Sequence, residues 1–158
     1  MSNGVELSVS FPLDTDGFLR RECPTCEREF KWHHSEDEGD SEPMADSGYF
    51  CPYCAVQAPP ESWFTKPQQA LVESTIHREV VGPALDEFGR SLRDISRRSG
   101  GFLKVELESE RQEPSDPLTE PDDMRRVDFG CHPREPVKVL EGWNRPVHCL
   151  ICGAPADA

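Results

Sequence analysis

Two short cysteine motifs carry the clearest chemistry in this sequence. Both have the form Cys-Pro-x-Cys, the first at residues 23–26 and the second at residues 51–54. Four thiolates satisfy the tetrahedral coordination that zinc prefers and leave no position open for water or substrate. The spacing therefore predicts a closed zinc site that stabilises the fold and does no chemistry. Its predicted ligands are Cys23, Cys26, Cys51 and Cys54.

A second, less regular cluster lies near the other end of the sequence. Cys149 and Cys152 form a Cys-x-x-Cys pair followed by glycine, which permits the positive φ of a metal-binding turn. Cys131 has no partner three residues further on, so a zinc site here needs a fourth donor. We prefer His132 to His148, although adjacent side chains would diverge if Cys131 and His132 lay in a strand. Alternatively, the Cys-x-x-Cys pair packs without metal as small apolar side chains.

Motifs typical of catalytic zinc sites are missing from the sequence. It contains neither His-Glu-x-x-His nor the His-x-Glu and Pro-Cys-x-x-Cys combination of zinc deaminases. Phosphate-binding glycine loops and nucleophile elbows are also missing. We therefore predict that the protein is not an enzyme. A zinc hydrolase with an open coordination position at Cys131 is the weakest of the hypotheses considered.

Composition favours a small domain that needs metal for stability. Only 35% of the 158 residues are hydrophobic and 15 are proline, so a large core is not expected. The sequence shows no signal sequence and no apolar run long enough to cross a membrane. We expect a cytoplasmic protein with reduced thiols and no membrane association. Its net charge of −13 disfavours unspecific binding to nucleic acid.

Hydrophobic periodicity predicts the elements between the cysteine motifs. Alternating apolar residues indicate strands at residues 5–11 and 103–107, which we expect to pair. We also predict short strands at 124–129, 137–140 and 147–151. Aromatic residues next to the motifs indicate short hairpins, and the polar, acidic residues 34–47 indicate an inserted loop. From Pro67 to Gly100 the pattern is helical, with a break at Gly82-Pro83.

These elements predict an α+β fold with a small antiparallel sheet and one long or kinked helix. Three regions follow from the order of the patterns. Residues 1–65 contain the N-terminal strand and the first metal site, residues 66–100 the helical segment, and residues 101–158 a β-rich region with the second cysteine cluster.

The first half of the chain resembles the zinc-ribbon group of proteins. Its Cys-Pro-x-Cys motifs match the knuckles of that group, although Glu27 and Ala55 stand where a ribbon knuckle usually has glycine. The match covers about a third of the chain. It implies an N-terminal zinc ribbon, and the Cys149 motif implies a ribbon-like C-terminal module. Because zinc ribbons serve in many processes, the resemblance implies a scaffold and no particular function.

Two binding functions compete as interpretations. The first is a cytosolic adaptor or subunit that binds another protein, with Zn²⁺ as a structural cofactor and with tryptophans as interface anchors or core residues. The second is nucleic-acid binding through Arg90, Arg93 and Arg97, which lie close together on the predicted helix and suit phosphate or carboxylate. Further basic residues near the first motif would assist: Arg20, Arg21, Arg28 and Lys31.

Overall fold

The computed structural model describes residues 4, 6–33, 48–100 and 115–156. Its strands and α-helices are β1 Phe18–Glu22, β2 Glu29–His33, β3 Tyr49–Phe50, β4 Gln57–Ala58, α1 Lys66–Ile76, α2 Gly82–Arg98, β5 Met124–Val127 and β6 Val137–Leu140. The chain divides into two compact units, Met1–Ser10 with Pro67–Pro117 and Phe11–Lys66 with Leu118–Ala158. The predicted α+β class is confirmed.

A four-stranded antiparallel sheet forms the centre of the second unit. Its strand order is β1-β2-β6-β5, while β3 and β4 form a separate two-stranded sheet. Lys31 of β2 lies opposite both Arg20 of β1 and Lys138 of β6. Residues of the predicted regions 1–65 and 101–158 therefore share one sheet, through a pairing of strands that are about a hundred residues apart in the sequence.

The two faces of this sheet differ in chemistry because side chains alternate along each strand. One face is apolar and belongs to the core, and its members from β1, β2 and β6 are Leu19, Phe30, Trp32, Val137 and Val139. Trp63 packs there at 0% exposure. The opposite face carries the long cationic side chains of Arg20, Lys31 and Lys138. Phe30 and Trp32, the aromatic residues that follow the first cysteine motif, thus pack in the core.

Two of the predicted strands are wrong. Residues 6–11 have no hydrogen-bonded neighbouring strand in the described part of the chain, and Phe11 packs against Phe64 with ring centroids 5.7 Å apart. Residues 147–151 contain only an isolated bridge from His148 to Pro155, because a Cys-x-x-Cys turn begins at Cys149. The strands predicted at 124–129 and 137–140 are confirmed as β5 and β6, whereas the strand at 103–107 and the loop at 34–47 lie outside the described residues.

The first unit contains the helical segment. Helices α1 and α2 are joined by a π-helical turn at His77–Val81, in which the Gly82 N–H donates to the His77 carbonyl oxygen five residues earlier. The wider turn accommodates Pro83, which has no N–H to donate. The predicted break thus falls at a change of helical pitch. No helix in the described part of the chain is long and apolar enough to span a membrane.

Candidate metal centres

Three Cys-x-x-Cys motifs adopt the same backbone turn, which we call a knuckle. Knuckles 1, 2 and 3 comprise residues 23–26, 51–54 and 149–152. In each, the carbonyl oxygen of the first cysteine accepts a hydrogen bond from the residue after the second cysteine, at 2.9, 2.9 and 2.8 Å. The N–H of the first cysteine donates to a carbonyl five residues later. One local geometry therefore recurs wherever this spacing occurs.

The residue after each knuckle has positive φ, and its values are 55° at Glu27, 59° at Ala55 and 72° at Gly153. Positive φ costs about 1–2 kcal/mol for a residue other than glycine. Glu27 and Ala55 accept this strain although the ribbon pattern has glycine there. At Gly153 the turn also requires the absence of a side chain, because an added Cβ would lie 2.8 Å from the ring of Phe50.

Knuckles 1 and 2 bring four cysteines together in the first candidate site, which we call centre 1. Its sulfur atoms all lie within 4.8 Å of one another, with 3.8 Å between Cys23 and Cys54 and 3.7 Å between Cys26 and Cys51. A tetrahedron with Zn–S bonds of 2.3 Å has edges of about 3.8 Å. Backbone N–H groups of the knuckles donate to the sulfurs of Cys23 and Cys51 at 3.3–3.4 Å.

Burial makes centre 1 unfavourable as a set of free thiolates. Cys51 is 0% exposed and Cys23 is 1% exposed, and this burial raises the pKa of both thiols. A cation at the centre would reverse this effect, because it stabilises the thiolate form of its ligands. The donor set therefore fits a divalent metal with affinity for sulfur.

Knuckle 3 and a turn at residues 131–132 form the second candidate site, which we call centre 2. The Cys131 and Cys152 sulfurs are 3.6 Å apart, and the Cys149 sulfur is 3.4 Å from His132 Nδ1. All four donor atoms lie within 4.8 Å of one another. Cys149 is buried, which raises its pKa to about 12, but Cys131 and Cys152 are exposed.

His132 is the fourth donor that the sequence favours for centre 2, with His148 as the alternative. His132 and Cys131 can converge because they lie in a turn, closed by a hydrogen bond from Glu135 N–H to the His132 carbonyl, and not in a strand. His148 instead has its Nδ1 3.1 Å from the Gly153 carbonyl oxygen. The structure therefore groups His132 with the three cysteines.

The two centres are joined through knuckles 2 and 3. Phe50 N–H donates to the Leu150 carbonyl at 2.8 Å, and His148 N–H donates to the Pro52 carbonyl at 2.9 Å. Knuckle 2 also contacts the main sheet, because the Tyr53 hydroxyl donates to the Glu29 carbonyl and accepts from the Leu140 N–H. Both centres are thus attached to the same core.

A third cluster of possible ligands, which the sequence analysis missed, lies on the cationic face of the sheet. It consists of Asp14, Asp16 and Asp122. The ammonium of Lys138 lies 2.7 Å from both Asp14 and Asp16, and the fully buried Lys31 lies 3.3 Å from Asp14. Although burial acts to raise it, hydrogen bonds from Lys138, Phe18 N–H and Lys31 lower the pKa of Asp14 to about 2. Lysine ammonium groups therefore neutralise these carboxylates without a metal.

The basic residues proposed to contact phosphate fall into different environments. Arg90, Arg93 and Arg97 are exposed on α2 and are not part of any metal cluster. Near knuckle 1, Arg28 is exposed but Lys31 is fully buried. The nearby Arg20 pairs with three carboxylates at 2.7–2.8 Å, from Glu29, Glu120 and Asp123. The basic cluster predicted around knuckle 1 therefore does not form one exposed surface.

Comparison of the chain with protein-family models, with curated proteins and with solved structures gave no match.

Proposed function

We propose that this chain is a zinc-stabilised protein that binds a protein partner, with structural zinc at both centres and no catalytic activity. The observation that carries the proposal is the completeness of the two donor sets. Each centre has four protein donors within 4.8 Å of one another. A zinc ion held by four protein ligands has no position left for water or substrate.

Zinc is the metal that best suits these donors. Centre 1 offers four sulfurs, and centre 2 offers three sulfurs and one imidazole nitrogen. Both sets are common for structural zinc, and the sulfur separations of 3.6–3.8 Å match tetrahedral coordination. Small cores gain stability from such ions because the free energy of metal binding is largely folding free energy.

Protein binding is favoured over nucleic-acid binding by the distribution of charge. The net charge of −13 repels phosphates, and two of the basic residues near knuckle 1, Arg20 and Lys31, are engaged by carboxylates. The exposed arginines of α2 and the exposed Arg28 are what still favours nucleic acid. Of the tryptophans considered as anchors, Trp63 is 0% exposed and Trp32 is 9% exposed, so both support the core.

Metal content and cobalt spectra test the structural role. We expect two zinc ions per chain after purification without added zinc. Cobalt substitution should give two tetrahedral, sulfur-rich spectra, and small anions should not alter either one. A single zinc ion, or an anion-sensitive spectrum at centre 2, would contradict the proposal, since exchange of a ligand requires an open position.

Binding to single- and double-stranded nucleic acid tests the alternative. We expect no saturable binding at low salt, where electrostatic attraction is strongest. If binding occurs and the triple variant Arg90→Gln/Arg93→Gln/Arg97→Gln abolishes it, the nucleic-acid function replaces the one proposed. Glutamine substitutions at Arg125 and Arg145, which are exposed outside α2, are the matched control.

A further inference from the structure

Arg21 places two buried guanidinium nitrogens on the apolar face of the sheet, and neither has a hydrogen-bond acceptor among the described residues. Its Nε and Nη1 atoms are buried, and no acceptor contacts them among the residues that the structure describes. Buried polar groups in folded proteins are paired in the great majority of cases, so each exception requires a physical explanation. An unpaired cation also destabilises the protein that carries it.

Aromatic rings cover the faces of this guanidinium. Its central carbon lies 4.4 Å from the ring centroid of Trp32 and 4.9 Å from that of Phe64. Tyr49 packs on Trp32 at 4.9 Å and Phe11 packs on Phe64 at 5.7 Å, and both are partly exposed. Ring faces attract a cation, but they are weak acceptors for the N–H groups at the guanidinium edges. We call these five residues the Arg21 surface.

Arg20, the preceding residue in β1, is a useful comparison because its guanidinium pairs with three carboxylates. Burial acts to lower the pKa of Arg20, but hydrogen bonds to Glu120, Glu29 and Asp123 raise it. Burial lowers the pKa of Arg21 to about 10 against a smaller opposing effect of Tyr49, and none of the carboxylates in the described part of the chain raises it. Arg21 therefore remains charged at neutral pH, and an acceptor from outside the described residues would stabilise it.

We propose that Arg21 anchors a binding site for an acidic segment of a protein partner. A carboxylate of the segment pairs with the guanidinium, and a neighbouring apolar side chain packs against the exposed parts of Phe11 and Tyr49. Arginine makes strong, directional hydrogen bonds with carboxylates, and arginine, tryptophan and tyrosine are enriched among residues that dominate binding. This inference rests on the proposed protein-binding function and adds the chemistry of the partner.

Thermal stability separates this role from a structural one. In the zinc-loaded full chain, we expect Arg21→Met to leave the melting temperature unchanged or to raise it by about 2–4 °C, because it removes an unpaired buried charge. Arg20→Met is the matched control and should lower it, since Glu29, Glu120 and Asp123 lose their cation. A lower melting temperature for Arg21→Met would show that the guanidinium has a partner within the chain, and the proposal would be wrong.

Peptide binding tests the ligand itself. The probe is a pool of heptapeptides with glutamate at the centre and mixed apolar flanks, compared at 0.15 M salt with a pool that has glutamine there. We expect preferential binding of the glutamate pool, weakened about tenfold or more by Arg21→Met. Arg28→Met, which removes an exposed arginine near knuckle 1, should leave binding unchanged. Equal binding of the two pools, or binding of a phosphoserine pool alone, would refute a carboxylate site.

These outcomes are distinct from failure of the proposed function. If each chain holds two closed zinc centres and yet shows no preference for the glutamate pool, only the binding role of the Arg21 surface is refuted. If centre 2 exchanges ligands with small anions, the structural role of its metal fails while a glutamate preference still supports the Arg21 site.

Discussion

The two candidate metal centres use the same knuckle but differ in how deeply their cysteines are buried. In centre 1 two cysteines are buried and two are half-buried, whereas in centre 2 Cys131 and Cys152 are exposed and only Cys149 is buried. Centre 1 also draws both pairs of ligands from knuckles, whereas centre 2 combines one knuckle with a turn that holds a cysteine and a histidine.

The Cys-x-x-Cys motif therefore fixes the local backbone turn, whereas the packing around the turn determines how far its cysteines contribute to the core. Centre 1 contacts the sheet directly, because Tyr53 of knuckle 2 bonds to both β2 and β6. Loss of a metal ion from centre 1 should therefore disturb the packing of the core. Centre 2 lies beside knuckle 2, which is hydrogen-bonded to residues 148 and 150. Loss of a metal ion there should disturb a smaller part of the unit. The following predictions test this contrast.

The largest effect is expected from cysteine substitutions that separate the centres. Cys51→Ser should unfold the unit that contains the sheet, because structural zinc contributes on the order of 10 kcal/mol and its ligand here lies in the core. Cys152→Ser should reduce metal content by one ion and retain the sheet. Circular dichroism and two-dimensional NMR spectra would report both results. Equal spectra for the two variants would show that the centres are equivalent.

A smaller effect is expected at the glycine after knuckle 3. Gly153→Ala should destabilise the unit by about 2–4 kcal/mol, because positive φ and contact with Phe50 add together. Gly17→Ala is the matched control, since its φ is 84° but an added Cβ meets nothing within 4 Å. It should cost only about 1–2 kcal/mol. Urea unfolding measures both, and equal losses would show that the contact with Phe50 is relieved.

Metal exchange should distinguish the centres without any substitution. A chromophoric chelator is expected to remove metal in two phases of equal size, with the first from centre 2, since two of its ligands are reached directly by solvent. Mass spectrometry after brief alkylation should find Cys131 and Cys152 modified before Cys23 and Cys51. A single phase, or early modification of Cys51, would contradict the burial contrast.

The smallest effect is expected from relieving the positive φ of Ala55, the residue after knuckle 2. Ala55→Gly should stabilise the protein by about 0.5–1 kcal/mol, because the relief of positive φ exceeds the added flexibility of the unfolded chain. Ala58→Gly, a change in β4 at a residue without positive φ, should instead destabilise it. Thermal unfolding of both variants measures the difference. Destabilisation by Ala55→Gly would show that the Ala55 methyl group makes a packing contribution larger than the strain.

Much of centre 1 could be predicted from the sequence because its ligands lie in two short motifs of consecutive residues. Four residues per knuckle specify the turn, and two knuckles of the same form suggest one metal. The positions of β5 and β6 could likewise be predicted from short segments of the sequence. The alternation of apolar residues at 5–11 predicted a strand, but residues 6–11 pair with no strand among the described residues, because a strand also requires a hydrogen-bonded neighbour that no local pattern supplies.

From the sequence we could derive the knuckles, the α+β class and the two cysteine clusters. Only the folded structure groups His132 with the cysteines of centre 2, and only there does Arg20 meet three carboxylates while the adjacent Arg21 has no hydrogen-bond acceptor among the described residues. The acceptors of Arg20 include Glu120 and Asp123, about a hundred residues away. Local spacing can fix a turn, but burial and the pairing of charges depend on residues that only the folded chain brings together.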